Sequence, residues 1–493
     1  MHRSQLGGLM ATLVLLFMAN AVAAEPNNAG ATGQPTPDVY FKFENVKVFT
    51  SKKAKDPKGK EVKWTTGRTE GPFDVYVHGN TIHKILPAGS KNIALPLSEP
   101  PPEINVINGT GYTLMPGLID AHTHLAYATL KQEELLSSDS GFMYVAATKA
   151  ATDMLMRGFT SVRDLGGPVF GLKRGIDKDL VAGPRIWPSG AFISQTGGHG
   201  DFRMPTDLPA GPGDFIYGEQ IGAMAIADSP DMVRKRAREQ LALGASQLKL
   251  MAGGGVSSAY DPLDVTQYTT EEMRAAVEAA ENWGTYVAVH AYTNKAVNQA
   301  IEAGVKCIDH GQLLEDEEPF KTMAKKGVWL SLQAFFNDGD RKSPYPEGSD
   351  KHKKQMSLYE GTKRAYQLAL KHRVKLAWGT DVLYDPDYAA KQGRMLSKLV
   401  TDQKLFTAAE ALTMATAANS ELLALSGERA PYKGSLGVVD EGALADLLLV
   451  KGDPVADIKL IEKPEENFLV IMKDGRIYKN ITKSQVVGSS ASP

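Results

Sequence analysis

Side chains able to bind metal ions lie at the ends of short apolar segments, which are typical of buried strands. The first segment ends in Asp120-Ala121-His122-Thr123-His124, and its two imidazoles share a face because alternate strand residues do so. Later segments end in His290, in His310 and in Gly379-Thr380-Asp381. One such histidine alone would more often be a core residue, but four with one aspartate favour a metal site. Imidazole and carboxylate ligands without thiolate suit zinc, manganese, iron or cobalt.

Lys249 lies in the middle of a further strand candidate, Gln247-Leu248-Lys249-Leu250-Met251. Leu248 and Leu250 share one face, so Lys249 is predicted to point to the opposite side, toward the other candidate ligands. A lysine is seldom fully buried without a partner, and a salt bridge to a carboxylate is the ordinary explanation. Burial and nearby cations also lower a lysine pKa. Beside metal ions the neutral amine could therefore take up carbon dioxide and become an anionic carbamate.

An α/β scaffold would bring these strand ends together. Eight strand candidates, mostly separated by amphipathic helix candidates, favour a (β/α)8 TIM-like barrel, in which catalytic groups lie at the carboxyl ends of the strands. The run Gly253-Gly254-Gly255 lacks the G-x-G-x-x-G spacing, so no dinucleotide site is predicted. The strand candidates are Gly117–His122, Thr160–Arg163, Arg185–Ser189, Gln247–Met251, Thr285–His290, Val305–His310, Val328–Leu332 and Lys375–Asp381. The helix candidates are Phe142–Arg157, Asp231–Leu243, Thr270–Trp283, Thr293–Ala303, Glu318–Lys326, His352–Lys371 and Thr407–Leu425.

Two β-rich regions flank the predicted barrel. Each contains a hairpin signal, Gly79-Asn80 in the first region and Asp474-Gly475 in the second. Each region is too small for a core of its own, so we predict that both chain ends form one small β-sandwich domain. The predicted boundaries are residues 38–115 and 426–486 for the sandwich, 116–425 for the barrel and 487–493 for a tail.

The first residues have the layout of a secretory signal peptide. Residues 1–24 contain Arg3, an apolar run over Leu9–Met18 and small residues before Glu25. An uncleaved membrane anchor is the alternative, but this run is short for a hydrocarbon core of about 30 Å. Residues 25–37 are polar and are predicted to be a flexible leader. We therefore expect a secreted or periplasmic protein that does not associate with membranes after cleavage.

The amino-acid composition excludes several classes of protein and of metal site. Hydrophobic residues make up 43% of the chain and charged residues 23%, which is ordinary for a globular protein. The 55 Lys and Arg residues against 57 Asp and Glu residues give a net charge of -2, so nothing favours nucleic-acid binding. The single cysteine, Cys307, excludes an intramolecular disulfide and a thiolate zinc site.

At this point the motifs resemble a known family. The segment from Met115 to His124, Met-Pro-Gly-Leu-Ile-Asp-Ala-His-Thr-His, is similar to the strand-one signature of the amidohydrolase superfamily. The full set is most similar to the imidazolonepropionase-related branch, which includes prolidase-like Xaa-Pro dipeptidases and ochratoxin-hydrolysing amidases. The other matching segments are Gly158–Asp164, Thr196–Asp201, Lys249 with its following glycines, Val289–Ala291, Asp309–Gly311, Gly379–Asp381 and Gly442–Leu447.

The resemblance implies a binuclear site with two divalent ions, zinc being favoured. By motif match His122 and His124 bind one ion together with Asp381, and His290 and His310 bind the other. Lys249, carbamylated by carbon dioxide to N6-carboxylysine, would bridge the two ions. Imidazolonepropionases are generally mononuclear and lack this lysine, so Lys249 argues against that activity.

The implied activity is hydrolysis of an amide bond in a dipeptide or an N-acyl amino acid. By the same resemblance Asp381 would take a proton from the attacking water and deliver it to the leaving amine, although it could also be a structural ligand only. His199, in a glycine-rich loop, and Tyr127, just after the first histidine pair, are candidate substrate contacts, although either could simply be structural. Arg163 and Asp164 could equally form a structural ion pair. Relatives are often symmetric assemblies, so a homo-oligomer is possible.

Two other functions stay open at this point. The same site could hydrolyse a lactam, a lactone or a phosphoester. Alternatively, the protein could be a non-catalytic barrel scaffold, although such a protein would be expected to have lost ligands, and all six candidate positions are filled here.

Overall fold

The computed structural model describes residues 39–55, 61–64, 66–90, 104–208, 211, 216–482 and 484–487. The predicted signal peptide (1–24), the predicted leader (25–37) and residues 488–493 of the predicted tail lie outside the described residues. Among the described helices, each is too short or too polar to cross a lipid bilayer.

The described chain alternates strands and helices through its central part and is mainly β at both ends. The strands are β1 (Tyr40–Thr50), β2 (Lys53–Lys55), β3 (Glu61–Trp64), β4 (Arg68–His78), β5 (Thr81–Pro87), β6 (Ile104–Asn108), β7 (Tyr112–Pro116), β8 (Leu118–Thr123), β9 (Phe159–Asp164), β10 (Arg185–Pro188), β11 (Phe192–Ser194), β12 (Met224–Ile226), β13 (Leu248–Met251), β14 (Val287–Thr293), β15 (Cys307–Leu313), β16 (Trp329–Leu332), β17 (Lys375–Trp378), β18 (Leu447–Lys451), β19 (Phe468–Lys473), β20 (Arg476–Asn480) and β21 (Ser484–Val487). The helices are α1 (Gln132–Ser137), α2 (Ser140–Met156), α3 (Phe170–Asp177), α4 (Tyr217–Gln220), α5 (Pro230–Ala242), α6 (Thr270–Asn282), α7 (Asn294–Ala303), α8 (Glu318–Lys326), α9 (Asp350–His372), α10 (Pro386–Ala389), α11 (Gln392–Thr401), α12 (Ala408–Thr413), α13 (Asn419–Leu423) and α14 (Pro464–Asn467).

The central strands form two parallel sheets. One contains β8, β9 and β10, and the other has the order β12-β11-β13-β14-β15-β16-β17. Backbone hydrogen bonds connect them on both sides, from Asp381 N to His122 O (2.8 Å) and from Ser246 N to Pro188 O (2.7 Å). The predicted α/β alternation is therefore present, and a single closed barrel stays a prediction. Strand β17 ends at Trp378, so Asp381 lies in the loop after the strand and not within it as predicted.

Helix boundaries follow from capping residues. Thr269 caps α6 and forms a capping box with Glu272, which explains why the predicted start at Thr270 agrees with the structure. Ser349 caps α9, so this helix begins two residues before the predicted His352. The predicted final helix is interrupted, because a π-helical turn at Met414–Ala418 separates α12 from α13.

The strands at the two chain ends pair with each other in one nine-stranded sheet. Its order is β20-β19-β18-β7-β1-β4-β5, with β6 beside β1 and β21 beside β6. Strand β18 is antiparallel to β7, so Leu449 lies opposite Leu114. The predicted association of the chain ends is thus observed as one sheet, and a two-layered sandwich stays a prediction.

A buried charged cluster joins this sheet to the first parallel sheet. Arg185, at the start of β10, donates from Nε to Asp446 Oδ2 (3.1 Å) and from Nη2 to Asp474 Oδ1 (2.6 Å). Lys473, at the end of β19, donates to Gly183 O (2.7 Å). Burial, followed by the nearby Arg185 guanidinium, lowers the pKa of Lys473 from 10.5 to about 8.

This lowered pKa predicts a pH-dependent stability. The folded protein binds fewer protons at Lys473 than the unfolded chain between pH 8 and 10.5, so its contribution to the free energy of unfolding increases across that window. The increase is at most about 3 kcal/mol. We expect Lys473→Met to lose this increment when denaturant unfolding is measured at pH 7.5 and at pH 10.5 (roughly the two ends of the window). Equal pH slopes for the wild type and the variant would contradict the prediction.

Candidate metal centre and active site

The candidate ligands lie at or just beyond the carboxyl ends of the parallel strands. His122 is on β8, His124 follows it, His290 is on β14 and His310 is on β15. His310 and Asp381 both have positive backbone φ angles, 89° and 49°. Such angles are uncommon for residues other than glycine, so the surrounding structure must hold them in place. Residues held in this way are frequent at functional sites.

The structure brings these side chains into one buried cluster. His122 Nε2 and His124 Nε2 lie 3.3 Å apart. Asp381 Oδ1 lies 3.3 Å from the first of these atoms and 3.2 Å from the second. The rings of His290 and His310 are 4.4 Å apart between centroids, and the His122 and His310 rings are 5.1 Å apart. One ligand atom each of His122, His310 and Asp381 lie within 4.8 Å of one another, so ligands of both predicted ions meet in one centre.

Each of the four imidazoles has one ring nitrogen beside a protein acceptor. Metal-binding histidines generally donate from one nitrogen to a carbonyl or carboxylate, which leaves the lone pair of the other nitrogen for the ion. The donor set therefore fits metal binding in its hydrogen bonding as well as in its residue types. The four contacts are His122 Nδ1 to Asp309 Oδ1 (3.0 Å), His124 Nδ1 to Gly166 O (2.9 Å), His290 Nε2 to Gly254 O (3.0 Å) and His310 Nδ1 to Gln333 Oε1 (2.8 Å).

The electrostatics of the cluster keep most of these ligands unprotonated. Burial lowers the pKa of His122 to about 4 and that of His310 to about 3, and it lowers the pKa of His290 well below 6.5. Burial also opposes ionisation of Asp381, but His122 and the other imidazoles hold its pKa below the ordinary range. His124 differs, because Asp381 raises its pKa despite burial. Neutral imidazoles and an ionised carboxylate are the forms that bind a cation.

Lys249 points into the same region, as its alternation with Leu248 and Leu250 predicts. The side chain is 1% exposed, and Nζ has no hydrogen-bond partner among the described residues. Its nearest carboxylate oxygen is Asp309 Oδ2 at 3.8 Å, too far for a hydrogen bond. Burial lowers the pKa of Lys249, which favours the neutral amine. An unpartnered buried amine beside a metal-binding cluster fits a role in holding the ions.

A charged pair lies behind the ligands and was not predicted. Arg163 donates from Nη2 to Asp309 Oδ1 (2.8 Å), and both side chains are 0% exposed. The suggested pair of Arg163 with its neighbour Asp164 is wrong, since Asp164 instead accepts from the backbone N of Leu125 (2.8 Å) and of Gly166 (3.2 Å). The only sequence signal for Asp309 was its place beside His310.

His199 and Tyr127, the predicted substrate contacts, both line the cleft. The His199 ring stacks on the His290 ring with centroids 4.1 Å apart. His199 Nδ1 lies 2.5 Å from Ser258 Oγ and 3.2 Å from Asp261 Oδ2, so the loop after β13 orients the ring. Tyr127 is almost completely buried, and its hydroxyl donates to Ala223 O (3.3 Å), which makes its packing role the better supported one.

The cleft above the cluster has a volume of about 1040 Å³. This is the size of a pocket for a small molecule or a short peptide. Its walls are rich in aromatic side chains that come from strands, helices and loops. They are Tyr127, Phe192, Phe202, Tyr292, Phe335, Tyr345, Tyr359, Tyr384 and Tyr388.

Several known proteins are similar to this chain in sequence and in fold. Ochratoxinase of Aspergillus niger is 30% identical over 384 residues, which cover 74% of this chain and 75% of that protein. A prolidase whose crystal structure contains N-methylphosphonate-L-proline is 29% identical and has a TM-score of 0.74, covering 90% of this chain and 100% of the other. A Xaa-Pro dipeptidase with methionine bound in its active site is 26% identical, with a TM-score of 0.71 and coverage of 90% and 100%.

The family itself is shown by a match along most of the chain. The family model for the amidohydrolase family matches residues 113–487, a range that contains all the candidate ligands. The family is generally metal-dependent, in agreement with the donor set described above. The chain therefore belongs to the amidohydrolase family and is a hydrolase acting on amide bonds.

Proposed function

We propose that the protein is an exported hydrolase that uses two divalent ions, preferably zinc, to cleave the amide bond of a dipeptide or an N-acyl amino acid. The observation that carries this proposal is the buried Lys249 amine beside the histidine cluster, which has no hydrogen-bond partner among the described residues. Carbamylated by carbon dioxide, it would supply the anionic bridge that a second ion needs. In this arrangement His122, His124 and Asp381 would hold one ion, His290 and His310 would hold the other, and carbamylated Lys249 would be a ligand of both.

The two ions would polarise the substrate carbonyl and make water nucleophilic at neutral pH. Asp381 lies within 3.3 Å of two imidazole nitrogens, and in this proposal it would accept the water proton at a carboxylate oxygen. The same carboxyl group then protonates the leaving amine. Ser258 and Asp261 hold His199 at Nδ1, and in this proposal the other ring nitrogen would donate its N–H to the substrate carbonyl.

The finer structural predictions accompany this proposal. We propose that the two parallel sheets form one closed (β/α)8 barrel over residues 116–425, supported by the backbone hydrogen bonds that link them on both sides. The nine-stranded sheet would belong to a sandwich built from residues 38–115 and 426–486. Cleavage of the segment 1–24 would place the mature protein in the periplasm or outside the cell.

A substrate screen with metal-reconstituted protein tests the function. We expect hydrolysis of Xaa-Pro or other dipeptides or of N-acyl amino acids, detected as release of the free amino acid, and about two metal ions per chain by elemental analysis. If the protein hydrolysed lactones or phosphotriesters but none of the amide substrates, the proposed substrate class would be wrong. Fewer than about one ion per chain, together with no turnover, would favour a non-catalytic scaffold.

The close approach of Gly255 to His199 gives a specific test of the His199 role. A Cβ atom at Gly255 would lie 2.1 Å from His199 Cε1, so Gly255→Ala must displace the ring from the face of His290. We expect kcat/KM to fall at least about 10-fold while the melting temperature changes little, because positioning errors cost catalysis. Gly253→Ala is the matched control, since its nearest contact, Val265 O, is at 3.4 Å. Equal kcat/KM values for the two variants would contradict the role.

A further inference from the structure

The wall of the cleft carries several cations, and most of them already have a partner or lie at the open rim. Arg341 Nε is 3.0 Å from Asp385 Oδ2. The exposed rim cations are Lys131, Lys342 and Lys391. Outside the candidate metal centre, none of these groups is held inside the cleft with its charge unpaired.

Lys351 is the exception. It is half-buried in the first turn of α9, lines the cleft, and donates from Nζ to Ser257 O (2.9 Å). Its ammonium lies 5.6 Å from the ring centroid of Tyr345. Within the ranges that the structure describes, no carboxylate oxygen is within 4.0 Å of Nζ. An ammonium has three N–H donors, so a carbonyl and a ring face leave it able to bind an anion.

The charge state of Lys351 points the same way. Burial, and then the nearby Lys354 ammonium, lower the pKa of Lys351, and the Asp261 carboxylate only partly opposes them. Lys354 itself donates to two backbone carbonyls, Gly255 O (3.1 Å) and Asp261 O (2.6 Å). An anion bound beside Lys351 would relieve the repulsion between these two ammonium groups.

The position of Lys351 relates it to the reacting bond. Its acceptor, Ser257, immediately precedes Ser258, whose Oγ lies 2.5 Å from His199 Nδ1. The ring of His199 in turn stacks on the candidate ligand His290. One short loop therefore orients His199, which is proposed to contact the scissile carbonyl. The same loop supplies Ser257 O, which accepts the hydrogen bond from the Lys351 ammonium.

We propose that Lys351 binds the carboxylate of the substrate's leaving amino acid, so that the enzyme selects free acids over the corresponding amides. This inference rests on the proposed function, because the leaving amino acid of a dipeptide or an N-acyl amino acid carries a carboxylate a few bonds from the scissile amide. An N⁺–H···O⁻ hydrogen bond is roughly twice as strong as a neutral one. Lys351 thus acts in substrate specificity and not in the chemical step.

The test pairs one substrate with its own amide. A dipeptide or N-acyl amino acid hydrolysed by the wild type, and the same compound with its carboxylate converted to an amide, are assayed with Lys351→Met. For the acid, KM should rise about 10-fold or more while kcat stays within about 2-fold, which is the signature of lost uniform binding. For the amide, both constants should stay unchanged. Lys351→Arg should recover most of the affinity for the acid, because it restores the positive charge.

The matched control is Lys353→Met, which removes an exposed ammonium from the same helix turn, 4.0 Å from Asp350 and outside the cleft. It should change neither substrate's KM. Equal losses for acid and amide in Lys351→Met, or no loss for either, would overturn the carboxylate role and leave the proposed function intact. Absence of wild-type turnover for every acid and every amide would overturn the proposed function, and the Lys351 assignment with it.

Discussion

Lys249→Ala is expected to abolish amide hydrolysis, with a fall in kcat/KM of at least about 10³-fold for the metal-loaded protein. The side chain is buried and unpartnered beside the ligands, and its pKa is lowered by burial. In the proposed site its amine would form a carbon–nitrogen bond with carbon dioxide and release a proton, and the resulting carbamate would supply an anionic ligand for the ions. Without this bridge, elemental analysis should find a lower metal content per chain than in the wild type.

Two further measurements distinguish a lost bridge from a damaged fold. Short carboxylic acids should partly restore both metal content and activity to Lys249→Ala, since they can supply a carboxylate in the space that the side chain leaves. Carbon-13 NMR of wild-type protein with labelled bicarbonate should show a carbamate signal that the variant lacks. Lys473→Met, which removes a buried ammonium outside the cleft, should keep the wild-type metal content. Unchanged turnover in Lys249→Ala would remove the carbamate from the mechanism.

Much of the site was predictable because its residues obey local rules. The alternation of side chains along a strand places His122 on the same face as His124, and it points Lys249 away from its two leucine neighbours. The amphipathic pattern predicts the start of α6 at Thr270, where the structure also has it. These patterns depend on residues close together in the sequence, so they can be recognised without knowledge of the tertiary contacts.

The remaining features depend on partners far apart in the sequence. Asp309 meets Arg163 across 146 positions, and Gln333 reaches His310 from the end of the next strand. Nothing in the local sequence around Arg163 distinguishes this partner from its neighbour Asp164. The sequence likewise does not show that Lys351 lacks a carboxylate partner, because that depends on where the fold places the carboxylates. Side-chain alternation along a strand could therefore be predicted from the sequence, whereas the pairing of residues far apart in the sequence could not.

Arg163→Met is expected to lower the free energy of unfolding of the metal-free protein by about 3–5 kcal/mol. Arg163 and Asp309 are both completely buried, and removal of the guanidinium leaves the Asp309 carboxylate without its closest cation. Burial opposes ionisation of Asp309, yet Arg163 is the first of the neighbours that hold its pKa well below 3.8. Arg157→Met is the control, because Arg157 donates to the uncharged Gln392 Oε1 (3.1 Å) and should cost only about 1 kcal/mol in denaturant unfolding.

Combining Arg163→Met with Asp309→Leu separates the two roles of the carboxylate. Replacing both members of a buried pair by apolar residues is often nearly neutral, so most of the lost stability should return. Metal affinity should nevertheless stay about 10–100-fold below that of the wild type, because His122 Nδ1 has then lost its acceptor at 3.0 Å. Wild-type metal affinity in the double variant would mean that His122 needs no carboxylate behind it. A change of less than about 1 kcal/mol in Arg163→Met alone would mean that the hydrogen bond from His122 Nδ1 (3.0 Å) suffices to hold the Asp309 charge.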